Sequence, residues 1–231
     1  MLGLKKYSRN PIDIPWSPTV AYAVGLITTD GCLSPDRRHI DFTSKDFQLT
    51  ETFKTCLGLE TKTRLKSSSS SAEKKYFSVQ FGNVVFYRWL EKIGLTRKKS
   101  LTLGVLDIPD QFFFDFLRGC FDGDGSVYAY WDPRWHSSYM FYIHFVSASR
   151  AHLEWLQKTT QRLGEVSGKI RQGKRCYQLT FAKRESKILF QKMFYVENLP
   201  CLERKKQKAE GFFVIDEIHN ARVSKLVDDH A

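Results

Sequence analysis

The sequence predicts an α+β protein built from two copies of one αββαββα unit. Three observations carry that prediction. First, "YAVGLITTDG" at 22–31 is answered by "FLRGCFDGDG" at 116–125. Second, each copy continues through alternating strands, a helical stretch and further strands in the same order. Third, each closes on a basic segment, "LTRKKS" and then "LERKKQ".

Along the chain, residues 1–15 read as an N-terminal arm, 16–108 as the first half, 109–220 as the second, and 221–231 as a frayed or vector-derived tail. Ser17-Pro18 is an N-cap followed by proline at the first helical position, and Pro109-Asp110 plays a similar opening part in the second half. Gly31 and Gly125 fall where each opening helix would end in a left-handed cap. Small residues form a stripe on each helix: Ala21, Gly25 and Thr28 or Thr29 on the first, Gly119 and Gly123 on the second. Such stripes let two helix backbones approach closely.

Strands follow. "HIDFTSKDF" and "YIHFVSASR" alternate with Ile and Phe turned inward. Helical segments then lead into "TKTRLK" and "GKIR", and next into "YFSVQF" and "CYQLTF". The serine run 67–71 reads as a hairpin tip. Phe112, Phe113, Phe114 and Phe116 read as core.

The chain of 231 residues carries a net charge of +11. Residues 1–115 hold 17 Lys+Arg against 12 Asp+Glu, and the remainder 19 against 13, so positive charge is spread over both halves. A polyanion, most simply nucleic acid, is the partner this implies. Five cysteines without a CxxC pair read as reduced thiols. No segment reads as a membrane span, and a cytoplasmic location (or an organellar matrix) is expected. The sequence holds no HExxH, Walker loop or legible Ser-His-Asp arrangement.

Asp30 and Asp124 occupy matching places, 94 residues apart, whereas Thr28 stands where the second copy has Asp122. If the two helices pack side by side, these carboxylates meet beside two negative dipole ends and repel. Divalent cations with a taste for oxygen ligands are the natural remedy.

"AVGLITTDG" and "LRGCFDGDG" resemble the paired motifs of single-chain LAGLIDADG homing endonucleases, and the order of elements extends the likeness over 16–220. The resemblance implies two curved antiparallel sheets forming a DNA-binding saddle, with the motif helices packed at its centre. It implies a monomer that makes a site-specific double-strand break in a long asymmetric target, as in intron mobility. Asp30 and Asp124 would hold catalytic Mg²⁺, helped by the carbonyls of Thr29 and Gly123. Mn²⁺ would substitute, and Ca²⁺ would support binding without cleavage. Lys98 and Lys205, from the two basic segments, would assist at the scissile phosphate. An intron RNA maturase, with its own intron RNA as partner, and a non-cleaving DNA-binding regulator are the rival readings of the same scaffold.

Strand parity selects the DNA-facing residues. In the first half these are Ser34, Arg37, His39, Asp41, Lys62, Arg64, Lys66, Tyr76, Ser78 and Gln80. In the second they are Ser126, Tyr128, Tyr130, Asp132, Arg134, Tyr142, His144, Lys169, Arg171, Gln178 and Thr180. Their mix of donors, acceptors and cations suits base edges and phosphates of the major groove.

Overall fold

The computed structural model describes residues 14–68, 71–97, 99–135 and 138–228. The first half opens with helix α1 (Pro18–Asp30), capped by the Ser17 hydroxyl, which accepts from Val20 N–H at 3.2 Å. Then come β1 (Gly31–Leu33), β2 (His39–Ser44), α2 (Phe47–Leu57), β3 (Arg64–Ser68), β4 (Ser71–Gly82), α3 (Val84–Lys92) and the short α4 (Lys99–Thr102). A 3₁₀ turn (Asp110–Phe112) leads into the second half: α5 (Phe113–Gly123), β5 (Ser126–Trp131), β6 (Tyr139–Ser147), α6 (Arg150–Gly164), β7 (Lys169–Gln172), β8 (Tyr177–Phe181), α7 (Lys183–Met193) and α8 (Glu203–Asp228).

Each half forms one four-stranded antiparallel sheet, ordered β1-β2-β4-β3 and β5-β6-β8-β7. The two orders are the same pattern twice, so the duplication read from the motifs extends to strand pairing. β2 shows why the sequence folds this way: Ile40, Phe42 and Ser44 are buried while His39, Asp41 and Thr43 are not. Phe42 stacks on Phe53 of α2 with ring centroids 4.5 Å apart, so the apolar face of the sheet is closed by the helix that follows it. No helix among the described residues is long and apolar enough to cross a membrane.

Between the sheets lie α1 and α5, touching backbone to backbone. A Cβ built on Gly25 would stand 2.2 Å from Phe116 O, and one on Gly119 would stand 2.1 Å from Tyr22 O. Neither position has room for a methyl group, which is the physical content of the small-residue stripe. Around this contact α1 is buried from Ala21 through Thr28.

Two expectations need correcting. Gly31 is extended (φ −85°), and neither it nor Gly125 has positive φ. What these glycines supply is space, because a Cβ on either would stand 2.6 Å from the Cα four residues back, Ile27 or Phe121. Left-handed caps occur instead at Gly58 and Glu165, which end α2 and α6 at corresponding places. The segment 221–228 is no frayed tail but continues α8. Of the N-terminal arm, residues 1–13 lie outside the described residues, as do 69 and 70 of the serine-run tip, although β3 and β4 flank it as a hairpin requires.

Substituting alanine for Gly25 or Gly119 forces a methyl group into backbone that has no slack. Thermal denaturation should show each variant destabilised by about 3 kcal/mol, a Tm lower by on the order of 10 °C. Alanine at Gly104, where a Cβ would meet nothing within 4 Å, should leave Tm nearly unchanged.

Candidate functional site

α1 and α5 end together. A Cβ on Gly123 would meet Thr29 Oγ1 at 2.0 Å and Asp30 Oδ2 at 2.9 Å, so the carboxylate of Asp30 lies beside the residue that precedes Asp124. The two aspartates placed together on sequence grounds are neighbours in space. Burial pushes the Asp30 carboxyl up to about 6, and the charge of Asp124 pushes in the same direction. Asp124 is also raised by burial, although one side of it is open to solvent.

Two lysines oppose this crowding of negative charge. Lys99 Nζ donates to the carbonyls of Ile27 (2.7 Å), Thr28 (2.5 Å) and Thr29 (2.9 Å). Lys205 Nζ donates to those of Phe121 (2.8 Å), Asp122 (2.8 Å), Gly123 (2.9 Å) and Gly125 (2.7 Å). Each ammonium gathers the free carbonyls of one motif helix, where the dipole is negative. Burial lowers both lysines to about 8, against the pull of the nearby carboxylates.

The matching lysine of the first half is therefore Lys99, not Lys98, which lies outside the described residues. Equating "TRKK" with "ERKK" letter by letter aligned Lys98 with Lys205. The helices begin at different points, however: α4 starts at Lys99, while Lys205 is the third residue of α8.

Do these groups suit a divalent ion? Two repelling carboxylates do. Among the described residues no cluster of three or more His, Cys, Asp or Glu joins them. That thin protein donor set fits Mg²⁺, which keeps several waters and borrows oxygens from phosphate. The carbonyls of Thr29 and Gly123, named with the aspartates as metal ligands, each already accept from a lysine. They retain one lone pair apiece.

Asp122 sits behind the site, only 2% exposed. Its Oδ2 accepts from Tyr22 OH and from Leu202 N–H, both at 2.7 Å, while burial raises the carboxyl to about 6. It ties α5 to α1 and to the entry of α8.

The outward sheet faces follow from the strand register. On the first sheet, cross-strand pairs put Asp41 with Gln80, Ser78 with Arg64, and Tyr76 with Lys66 on one face. His39 lies on that face, Ser34 donates to Asp41 Oδ2 at 3.2 Å, and Lys62 is exposed just before β3. Cys32 and Thr43 share the face and were missed; their pairing with Asp41 and Ser78 is the signal that finds them. Arg37 lies not on a strand but in the β1–β2 turn, with φ of 56°.

On the second sheet Ser126, Tyr128 and Tyr130 pair with His144, Tyr142 and Met140, and Lys169 and Arg171 with Thr180 and Gln178. Two assignments change here. β5 ends at Trp131, so Asp132 and Arg134 lie in the following turn and bond each other at 3.2 Å. His144 has the expected parity but is only 2% exposed. Its ring lies against Tyr128 at 4.6 Å, its Nδ1 is 2.9 Å from Thr180 Oγ1, and burial drops it to about 4. It supports Tyr128 from beneath as a neutral imidazole.

A pair of helices in backbone contact, each ending in a carboxylate and each flanked by a four-stranded sheet, defines the LAGLIDADG class of architecture. Residues 112–194 match the family model of the LAGLIDADG-like domain. Among solved structures the chain is similar to the LAGLIDADG meganuclease I-AabMI bound to uncleaved DNA (15% identity, TM-score 0.61, covering 90% of this chain and 92% of that one). It is also similar to the homing endonuclease I-WcaI bound to its DNA recognition sequence (13% identity, TM-score 0.60, covering 90% and 95%). Full-length DUF199/WhiA from Thermatoga maritima shares the fold as well (14% identity, TM-score 0.55, covering 94% and 70%). No curated protein sequence matches the chain. The motifs thus identified the fold correctly, and the second half carries a LAGLIDADG-like domain.

Because the folded carboxyl of Asp30, at about 6, exceeds its ordinary 3.8, folding takes up a proton there. Stability from this group is complete below about pH 4 and declines as pH rises to about 6. Asp124→Asn removes one of the two repelling charges. At about pH 7.5 it should raise Tm by a few degrees, roughly 1 kcal/mol after discounting for the solvent-open side of Asp124. Melts near pH 4 should show that gain shrink as Asp30 takes up its proton.

Proposed function

We propose that this chain is a site-specific endonuclease that binds a long, asymmetric stretch of double-stranded DNA across its two sheets and hydrolyses both strands. The observation that carries this reading is the meeting of Asp30 and Asp124 at the adjoining ends of α1 and α5. Carboxylates raised by burial, and in Asp30 by the charge of Asp124 as well, inside a basic protein, are prepared for a cation and a phosphodiester together. Mg²⁺ bound there would polarise the attacking water and stabilise the leaving oxygen.

The chain's own residues do the rest. Asp30 and Asp124 each face one strand and must be ionised to act, so Asp30 sets a requirement for pH above about 6. Lys99 and Lys205 hold the last turns of the motif helices and offset the carboxylate charge. The sheet faces position the duplex: Arg64, Lys66, Lys169 and Arg171 toward phosphates, and Gln80, Ser78, Gln178 and the tyrosines toward base edges. Unequal faces imply unequal half-sites. Both motifs lie in one chain, so a monomer suffices. Mn²⁺ should replace Mg²⁺, and Ca²⁺ should allow binding only.

A second reading, a binding protein on the same scaffold, is favoured by one observation: the carbonyls of Thr29 and Gly123 are already occupied by ammonium groups. Its partner would be duplex DNA or the chain's own intron RNA.

Cleavage-site selection from a randomised duplex library, with Mg²⁺ and in parallel with Ca²⁺, separates the readings. Recovery of one asymmetric cut sequence under Mg²⁺ alone supports the nuclease; selective retention without cutting under either ion supports the binder. Asp124→Asn should abolish double-strand cleavage while keeping most of the DNA affinity, and full cutting by that variant would refute the assignment.

A further inference from the structure

The segments that carry the capping lysines are not held by their own halves alone. Asp46 stands at the N-cap position of α2 but makes no side-chain hydrogen bond to that helix. An aspartate there ordinarily satisfies the free N–H groups of the first turn. Its carboxylate instead accepts from Arg204 of α8, Nε to Oδ1 at 2.9 Å and Nη2 to Oδ2 at 2.7 Å. Arg204 immediately precedes Lys205. A first-half residue thus grips the second half's lysine segment.

The mirror contact exists. Ser149 is the N-cap of α6, the helix that corresponds to α2. The local frames agree: Asp46 N–H donates to Ser44 Oγ and Ser149 N–H to Ser147 Oγ, each at 3.1 Å. Ser149 Oγ also reaches across, donating to Leu103 O, and His152 Nδ1 lies 3.0 Å from Gly104 O. Leu103 and Gly104 directly follow α4, which begins with Lys99. A second-half pair thus grips the first half's lysine segment. The chemistry of the two grips differs, a bidentate ion pair against hydroxyl and imidazole contacts with backbone, but the direction of each is the same.

We propose that Asp46 and the Ser149–His152 pair are positioning residues that hold each capping lysine from the opposite half, so that the end of each motif helix is set crosswise. The consequence for cutting rests on the nuclease reading; the crosswise grip does not.

Two variants test it. Asp46→Ser keeps a side chain able to cap α2 but too short to reach Arg204, and Ser149→Ala removes the hydroxyl that reaches Leu103. Amide hydrogen exchange on the protein alone should show opening across 120–126 about fivefold faster in Asp46→Ser, the ratio that corresponds to roughly 1 kcal/mol, with 26–31 unchanged. Ser149→Ala should show the reverse. The double variant Asp46→Arg with Arg204→Asp should restore protection over 120–126. Loosening confined to the altered half, or equal in both motif helices, overturns the proposal. With strand-labelled target DNA the two variants should slow opposite strands, giving nicked intermediates of opposite polarity. Should the unaltered protein cut no DNA, the nuclease reading fails while the exchange comparison still decides the crosswise grip.

Discussion

Contact between the backbones of α1 and α5 at Gly25 and Gly119 is the constraint on which the rest depends. Helices that touch without intervening side chains bring their C-terminal ends together as well. At that point two sets of free carbonyls and two carboxylates share one volume. Buried negative charge at such density is costly unless it is paired. The chain answers with Lys99 and Lys205, one ammonium per helix, and each ammonium has its own environment pressed into it: burial lowers both to about 8 while burial and Asp124 raise Asp30 to about 6. Burial moves acid and base alike toward their neutral forms, and the attraction between lysines and carboxylates opposes both shifts. With the lysine charge counted, the Asp30 carboxyl still stands above its ordinary range, which is the condition a divalent ion would relieve.

The two halves share a plan and differ in how the motif helix is anchored. α1 is held by apolar burial, with Ala21, Tyr22, Ala23, Val24, Leu26 and Ile27 fully enclosed. α5 buries Phe116, Leu117 and Phe121 as fully but also carries the enclosed Arg118, which bonds Asp115 at 2.7 Å, Met193 O at 2.6 Å and Pro200 O at 3.0 Å. Its guanidinium lies over the ring of Tyr22, whose hydroxyl bonds Asp122. A polar network therefore ties α5 to α1 and to the link between α7 and α8. Such a network specifies one arrangement best when every member is satisfied; Arg118 is, whereas Asp122 Oδ1 is buried without a hydrogen-bond partner.

How much of this was legible follows from the physics of each feature. The duplicated motif, the period-two alternation of β2 and β8 and the pairing of Asp30 with Asp124 were legible because each repeats over several residues or appears twice. Features decided by one residue's surroundings were not. The end of β5 at Trp131 follows from the turn in which Asp132 and Arg134 bond each other, and parity continues past it on paper. His144 shows the right face in the pattern, yet Tyr128 covers it. The glycines after each motif looked like left-handed caps because that is their usual reason at a helix end; here the reason is the Cα four residues back. The lysine register failed because two adjacent lysines are indistinguishable until the start of a helix is known.

The outward face of the second sheet gathers tyrosines from two neighbouring strands. Tyr128, Tyr130 and Tyr142 stack on one another at 5.2 to 6.2 Å with interplanar angles of 10° to 23°, and His144 completes the stack against Tyr128. Aromatic sheets that capture single strands do so by offering ring faces to unpaired bases. In this stack the rings lie roughly parallel, and Tyr128 and Tyr130 remain exposed. The Tyr130 hydroxyl lies 3.4 Å from the Tyr142 hydroxyl. Hydroxyl groups that both donate and accept thus share one sheet face with Lys169 and Arg171 of β7, across β8.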